Sequence, residues 1–215
     1  MIEAVKPKVL ATRLIPNVAP DLAGQLGLAP YQRSLGMLTC NIDDSTYVAL
    51  DEATKKAEVT VVYAKSFYAG AAHASGPRSG EVIGILAASN PADVRAGIDA
   101  CIACLENEAF FYTHDGGKTA WFPHTISSTG SYLSKLAGIP EGEPLAYLIA
   151  PPLEAIYGID AALKVADVSM KVLYGPPTET NFGGALLTGT QSACRAACED
   201  FQRAVIDVAE NGLKY

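Results

Sequence analysis

A chain of 215 residues is long enough for one large domain or two small ones, each with a core of its own. Its formal charge of -7 excludes a phosphate-backbone binder, which needs a Lys/Arg-rich face. Only 18% of its residues are charged, against about 25% in an ordinary soluble domain, so much of the surface is expected to meet other protein in an oligomer. The acidity also suits a small cationic ligand. No apolar run approaches the roughly 18 to 20 residues of a membrane span, and "MIEAVKPKVLATRLIPN" lacks the layout of a signal peptide. A cytosolic protein is expected.

In chain order, "KVLATRLI" reads as a first strand, and "LGMLTCN" as a buried strand that enters a helix through "NIDDSTY". Asp43 and Asp44 stand at that helix start, where an acidic residue suits both the cap and the helix dipole. After "DEATKKAEV" come the β-branched run "VTVVYA", the loop "FYAGAAHASGPRSG", and the strand "GEVIGILA" with Glu81 at its head. "NPADVRAGIDACIACLEN" places Val94, Ile98, Cys101, Ile102 and Leu105 on one helix face. "NEAFFYTH" holds Phe110, Phe111 and Tyr112, expected in a core or hairpin, and "HDGGK" reads as a turn. The strand "AWFPHTIS" follows.

From there the chain repeats itself. "DEATKKAEV" at Asp51 and "DAALKVADV" at Asp160 are 109 positions apart; Ala53, Lys55, Ala57 and Val59 meet Ala162, Lys164, Ala166 and Val168. "LGMLTCN" maps on "PLAYLIA" at the same offset, and "LGLAP" on "LAGIP" one residue out of step. The last helix, "ACRAACEDFQRAVIDVAEN", carries Ala197, Phe201, Ala204, Val205 and Val208, matching the earlier stripe at an offset of 103, which implies a loop six residues shorter. With "VSMKVL" and "GALLTGT" as strands, each half is expected to be α+β, two helices covering one face of a small sheet. The boundary is placed at 108/109, and three such chains would make a ring of six similar domains.

The chemistry is sparse. The five cysteines, Cys40, Cys101, Cys104, Cys194 and Cys198, are expected as packed thiols rather than disulfides, and "CIAC" lies within a helical pattern. His73, His114 and His124 do not complete a zinc site. "GGALLTGT" lacks the Lys of a phosphate loop, "SYLSK" lacks the S-x-x-K spacing, and no nucleophile with a base and an orienter can be named. Asymmetry between matched halves is where ligand chemistry could sit: Asp43 and Asp44 correspond to Pro152 and Leu153, and Glu81 to Gly184. An enzyme, a binding module and a structural repeat are the three readings left.

The stretches "RSLGMLTCNIDDSTYVALDEATKKAEVTVVYAKSFYAGA", "AYLIAPPLEAIYGIDAALKVADV" and "PPTETNFGGALLTGTQSACRAAC" resemble the tandem-domain shell proteins of the ethanolamine-utilisation bacterial microcompartment, the EutL family, and the resemblance spans essentially the whole chain. It implies two circularly permuted microcompartment-shell domains, 1–108 and 109–215, of α/β-type ferredoxin-like α+β fold. It implies a homotrimer that mimics a hexagonal tile beside other shell proteins, with no enzymatic activity, no nucleic acid, no membrane and no resident cofactor. By the same resemblance Asp43, Asp44, Glu81 and Phe111 match an ethanolamine-binding set: carboxylates attract the ammonium, and an aromatic face adds a cation–π attraction of roughly 0.5 to 2 kcal/mol. Phe67, Tyr68, Gly70, Thr178, Thr180, Asn181 and Phe182 are the pore-gating candidates, set in loops of matched position. Some relatives associate with zinc or cobalamin, for which Glu154 and the three histidines are the residues to inspect.

Overall fold

The structure, a computed structural model, describes residues 1–67 and 75–213. It divides into two compact units: an N-terminal one of Lys6–Ala109 with Gly130–Leu133, and a C-terminal one of Met1–Val5, Phe110–Thr129 and Ser134–Tyr215.

In the N-terminal unit the elements run β2 (Val9–Ile15), α1 (Pro20–Gln25), β3 (Ser34–Cys40), α2 (Asp43–Lys56), β4 (Thr60–Ser66), β5 (Val82–Ala88) and α3 (Pro91–Asn107), following a short β1 (Glu3–Val5) that belongs to the other unit. The four strands form an antiparallel sheet in the order β2-β3-β5-β4. The pleat sorts β3 by alternation. Leu35 and Met37 join Ile85, Ala87 and Val18 in an apolar cluster that Ala23, Leu26 and Leu28 of the α1 segment cover. Gly36, one residue out of phase, faces Val94 and Ile98 of α3, and Gly84 faces Leu50 of α2 so closely that a Cβ would stand 2.7 Å from its Cδ1. The long helices thus sit on the sheet with almost no spacer between backbone and side chain.

The C-terminal unit runs β6 (Phe111–Thr113), β7 (Ala120–Ile126), α4 (Ser131–Ala137, whose first turn is counted with the N-terminal unit), β8 (Leu145–Ala150), α5 (Pro152–Val165), β9 (Val168–Tyr174), β10 (Gly183–Gly189) and α6 (Gln191–Glu210). Its six-stranded sheet has the order β1-β6-β7-β8-β10-β9. β8 is buried throughout, as a central strand should be. The core gathers Trp121, Leu148, Ile159, Leu187, Phe201 and Val205, and each large side chain fully buried there contributes about 1.5 to 3 kcal/mol of transfer free energy.

Each unit therefore has the expected α+β character, and the run from β2 to α3 recurs, element for element, from β7 to α6. The helix junctions use the same device: Asn90 Oδ1 accepts from the amides of Ala92 and Asp93 at the head of α3, and Thr190 Oγ1 from Ala193 at the head of α6. The structure corrects the expected offset of these two helices. The buried set of α3 is Val94, Gly97, Ile98, Cys101, Cys104 and Leu105, and that of α6 is Cys194, Ala197, Cys198, Phe201, Ala204 and Val205, each pair 100 positions apart rather than 103. A slip of three leaves one helix face nearly in place, so the stripe alone could not register it. With β5 and β10 matched end to end, Glu81 stands opposite Phe182 rather than Gly184. The "LGLAP" echo moves too: the left-handed Gly27 and Gly138 that end α1 and α4 are 111 positions apart, and the amides of Leu28 and Ile139 return to the carbonyls of Ala23 and Ser134 alike.

Candidate functional site

β3 ends at Cys40, and two residues later the chain turns into α2. The capping position is Ile42, which offers no side-chain bond, so neither aspartate caps the helix; both lie inside its first turn and both are buried. Asp43 Oδ1 accepts the amide of Asp44 at 2.9 Å, and its Oδ2 accepts the Ser66 hydroxyl at 2.8 Å. Since that hydroxyl gives its hydrogen to the carboxylate, the Tyr47 hydroxyl, 2.5 Å from Ser66 Oγ, donates in turn. The result is a relay from Tyr47 through Ser66 to Asp43. Burial raises the Asp43 carboxyl above the usual carboxylate range in spite of these donors, and burial likewise raises the Tyr47 phenol. The hydroxyl of Ser45, next along the helix, is buried with no hydrogen-bond partner among the described residues.

Glu81 reaches the same end of β3 from the other side. Its amide donates to the Cys40 carbonyl at 2.8 Å and its own carbonyl accepts from Phe67 at 2.8 Å. Gly80 makes this approach possible: its φ of 63° lies in the left-handed region, and a Cβ there would collide with the Cys40 carbonyl oxygen. Asp43, Asp44 and Glu81 are thus all anchored around the C-terminal end of β3.

Phe111 belongs to the C-terminal unit, where β6 pairs it with Val5. Its ring is buried, stacked on Phe122 with centroids 4.9 Å apart and met edge-on by Phe182 at 6.0 Å. Of the loop candidates, Tyr68 and Gly70, with His73, lie outside the described residues. Phe67 closes the base of its loop through Glu81. Thr178 to Phe182 form a turn tied to itself: the Thr178 amide donates to the Phe182 carbonyl at 2.9 Å, the Asn181 amide to the Thr178 carbonyl at 3.0 Å, and Asn181 takes a φ of 66°.

A third carboxylate on α2 was not singled out from the sequence. Asp51, 1% exposed, accepts the Gly130 amide through Oδ2 at 2.7 Å and the Leu133 amide through Oδ1 at 2.8 Å. Thr54 Oγ1 accepts the Ser131 amide at 3.0 Å, and the Tyr47 and Tyr132 rings stand 6.3 Å apart. Segment 130–133 is held on α2 in this way. Burial raises the Asp51 carboxyl, opposed by the two amides and by Lys55, and raises the Tyr132 phenol to about 12. The sequence signal was present, since Asp51 opens the repeat, but the matching Asp160, which the structure leaves exposed, has the same side chain, so the repeat could not tell the buried copy from the exposed one.

The five cysteines are buried thiols in no disulfide, and burial raises Cys104 and Cys198 to about 12, a poor state for redox or metal chemistry. His114 lies beside Trp121 with Nε2 3.8 Å from Glu210, and His124 stacks on Phe122 at 5.2 Å. Glu154 is in the first turn of α5. Among the described residues no three His, Cys, Asp or Glu come together as a metal site would need, and no helix is long and apolar enough to cross a membrane.

Comparison with known proteins adds three findings. Residues 34–114 match the family model described as the BMC domain. The bacterial microcompartment shell protein EutL of Clostridium perfringens (strain 13 / Type A) is 54% identical over 214 residues, 99% of each chain, and that of Escherichia coli (strain K12) is 53% identical, over 99% of this chain and 98% of its own. The crystal structure of ethanolamine utilization protein EutL from Leptotrichia buccalis C-1013-b superposes with a TM-score of 0.97 at 60% identity, covering 99% of both chains.

Proposed function

The chain belongs to the EutL family of bacterial microcompartment shell proteins, and on that premise we propose how it serves the shell. It is a non-enzymatic structural protein of the ethanolamine-utilisation microcompartment, a protein-bounded body in the cytoplasm. Three copies, each contributing the two domains 1–108 and 109–215, form a pseudohexameric tile beside other shell proteins, with gated pores that pass ethanolamine and other small metabolites. The recurrence of one seven-element run in both units carries this reading, because a doubled unit lets a threefold assembly present sixfold edges. Electron microscopy of the pure protein tests it: ordered two-dimensional sheets of hexagonal spacing are expected, and particles that stay dispersed under all assembly conditions would refute it.

Asp43, Asp44 and Glu81 are the ethanolamine-binding carboxylates, and Phe111 supplies the aromatic contact. Their support is the convergence on the end of β3 and the burial of the Asp43 carboxyl; an ammonium brought to that place would favour its ionised form. Phe67 with Tyr68 and Gly70, and the turn at Thr178, Thr180, Asn181 and Phe182, are the gating loops. They support passage because both join a core strand to an outer one at matched positions of the two units. Asp44→Asn combined with Glu81→Gln is expected to weaken ethanolamine binding at least tenfold in calorimetry; an unchanged affinity would remove these residues from the site.

A further inference from the structure

The end of β3 crowds its acids. Asp43 and Asp44 are neighbours in the first turn of α2, each 7% exposed, and Glu81 is anchored to the Cys40 carbonyl of the same strand end. Each like charge disfavours the ionisation of the next, so such a group keeps a proton more readily than it accepts a third negative charge.

Asp43 is also wired to a way out. Its Oδ2 meets the Ser66 hydroxyl at 2.8 Å, and Ser66 Oγ lies 2.5 Å from the Tyr47 hydroxyl. Asp43 and Ser66 are buried, whereas Tyr47 is half-buried. A hydroxyl both gives and takes a hydrogen, so this chain has two polarities. With Asp43 protonated, its Oδ2–H donates to Ser66, Ser66 donates to Tyr47, and the Tyr47 hydrogen points away. With Asp43 ionised, Tyr47 donates to Ser66 and Ser66 to the carboxylate. The first turns into the second when the Asp43 hydrogen passes to Ser66 Oγ, the Ser66 hydrogen to the Tyr47 oxygen, and the Tyr47 hydrogen to water. Three O–H bonds break, three form, and one proton leaves.

We propose that the site exchanges a proton for its ligand: Asp43 holds the hydrogen while the site is empty and surrenders it through Ser66 and Tyr47, its positioning residues, when an alkylammonium enters. One positive charge replaces another, so a cation is admitted without a change in the net charge of the site. The inference rests on the reading of Asp43, Asp44 and Glu81 as the ethanolamine carboxylates and adds what regulates them, the ambient pH. Burial raises the Asp43 carboxyl in the sense this requires. Burial also keeps the Cys40 thiol, the Tyr47 phenol and the Tyr132 phenol, whose ring stands 6.3 Å from that of Tyr47, in their protonated forms. Lys65 alternates with Ser66 along β4 and is exposed. Asp44 and Glu81 are the other acids, and substitution of Asp43 separates them from it. Below the raised value each binding event releases one proton, and above it none, so affinity falls about tenfold per pH unit below that value and is level above it.

Calorimetry of the native chain with ethanolamine hydrochloride between pH 4.5 and 8 tests the exchange. Affinity is expected to rise with pH and then level off, and at pH 5.5 the heats in acetate and in MES should differ by the ionisation heat of up to one proton per ligand. Asp43→Asn should bind more weakly, with a level pH profile and equal heats in the two buffers. Ser66→Ala removes a charge-assisted bond to the carboxylate and should move the levelling point to higher pH. Native binding with a level profile and equal heats would overturn the exchange and leave the site standing. An Asp43→Asn variant that keeps the native profile would overturn the assignment of the proton to Asp43, and a Ser66→Ala variant weakened equally at every pH would overturn the positioning role. No binding of ethanolamine by the native chain at any pH would overturn the site and the exchange together.

Discussion

α2 and α5 are copies of one helix that agree on the side facing their sheets and differ on the side facing away. The inward residues keep the same burial because a close-packed interior feels a change of even one methylene. The outer side has no such constraint, and the two copies have diverged there. α2 carries Asp43 and Asp44 at the end of β3 where α5 has Pro152 and Leu153, and its Asp51, matched by an exposed Asp160, fastens segment 130–133; α5 is apolar and exposed at Leu153, Ile156 and Tyr157. Duplication thus conserved the architecture and released one face of each helix for separate work.

The comparison can be tested by paired substitutions. The largest expected effect should be common to both helices: Leu50→Ala and Ile159→Ala, each at a buried inward position, should lower stability by about 2 to 5 kcal/mol in urea unfolding. If one cost far less, the inward faces would not be equivalent. The next pair should split. Asp51→Ala leaves two buried amides unpaired and should cost about 2 to 4 kcal/mol, whereas Asp160→Ala, which breaks an exposed ion pair, should stay within about 0.5 kcal/mol.

A smaller effect separates the helices by pH. Burial raises the Asp43 carboxyl, so the fold favours its protonated form. Its contribution to stability is fully present below the unfolded value of about 4 and is lost as pH rises through the raised folded value. Asp43→Asn should therefore match the native protein near pH 3 and melt higher at pH 8, trading ligand affinity for stability. Pro152 holds the corresponding place on α5 and has no group to titrate. A variant that melts lower at pH 8 would show that the Ser66 and Tyr47 relay outweighs the cost of burial.

Much of the fold was legible because repetition reinforces weak local signals: a strand or helix read in one half is read again in the other. "DEATKKAEV" and "DAALKVADV" gave the exact register of α2 and α5. α3 and α6 were matched three residues out of step, since helical periodicity tolerates that slip; the buried sets and the caps at Asn90 and Thr190 resolve it. Asp43, Asp44 and Glu81 stood out because the matching positions of the other half carry no charge. Asp51 did not, because its role depends on amides at Gly130 and Leu133, some eighty positions away, and no local pattern announces a long-range contact of that kind.

The fastening of segment 130–133 by Asp51 also orders events at birth. When a ribosome has released Ala109, the strands of that unit exist but two of its buried donors are still unmade, so the Asp51 carboxylate must wait in water until translation passes Leu133. At about 5 to 20 residues per second that pause lasts seconds, long against the closing of a hairpin. The nascent chain is thereby kept from sealing its first half before its second has begun, and the outer side of α2 stays open to a passing chaperone for the interval.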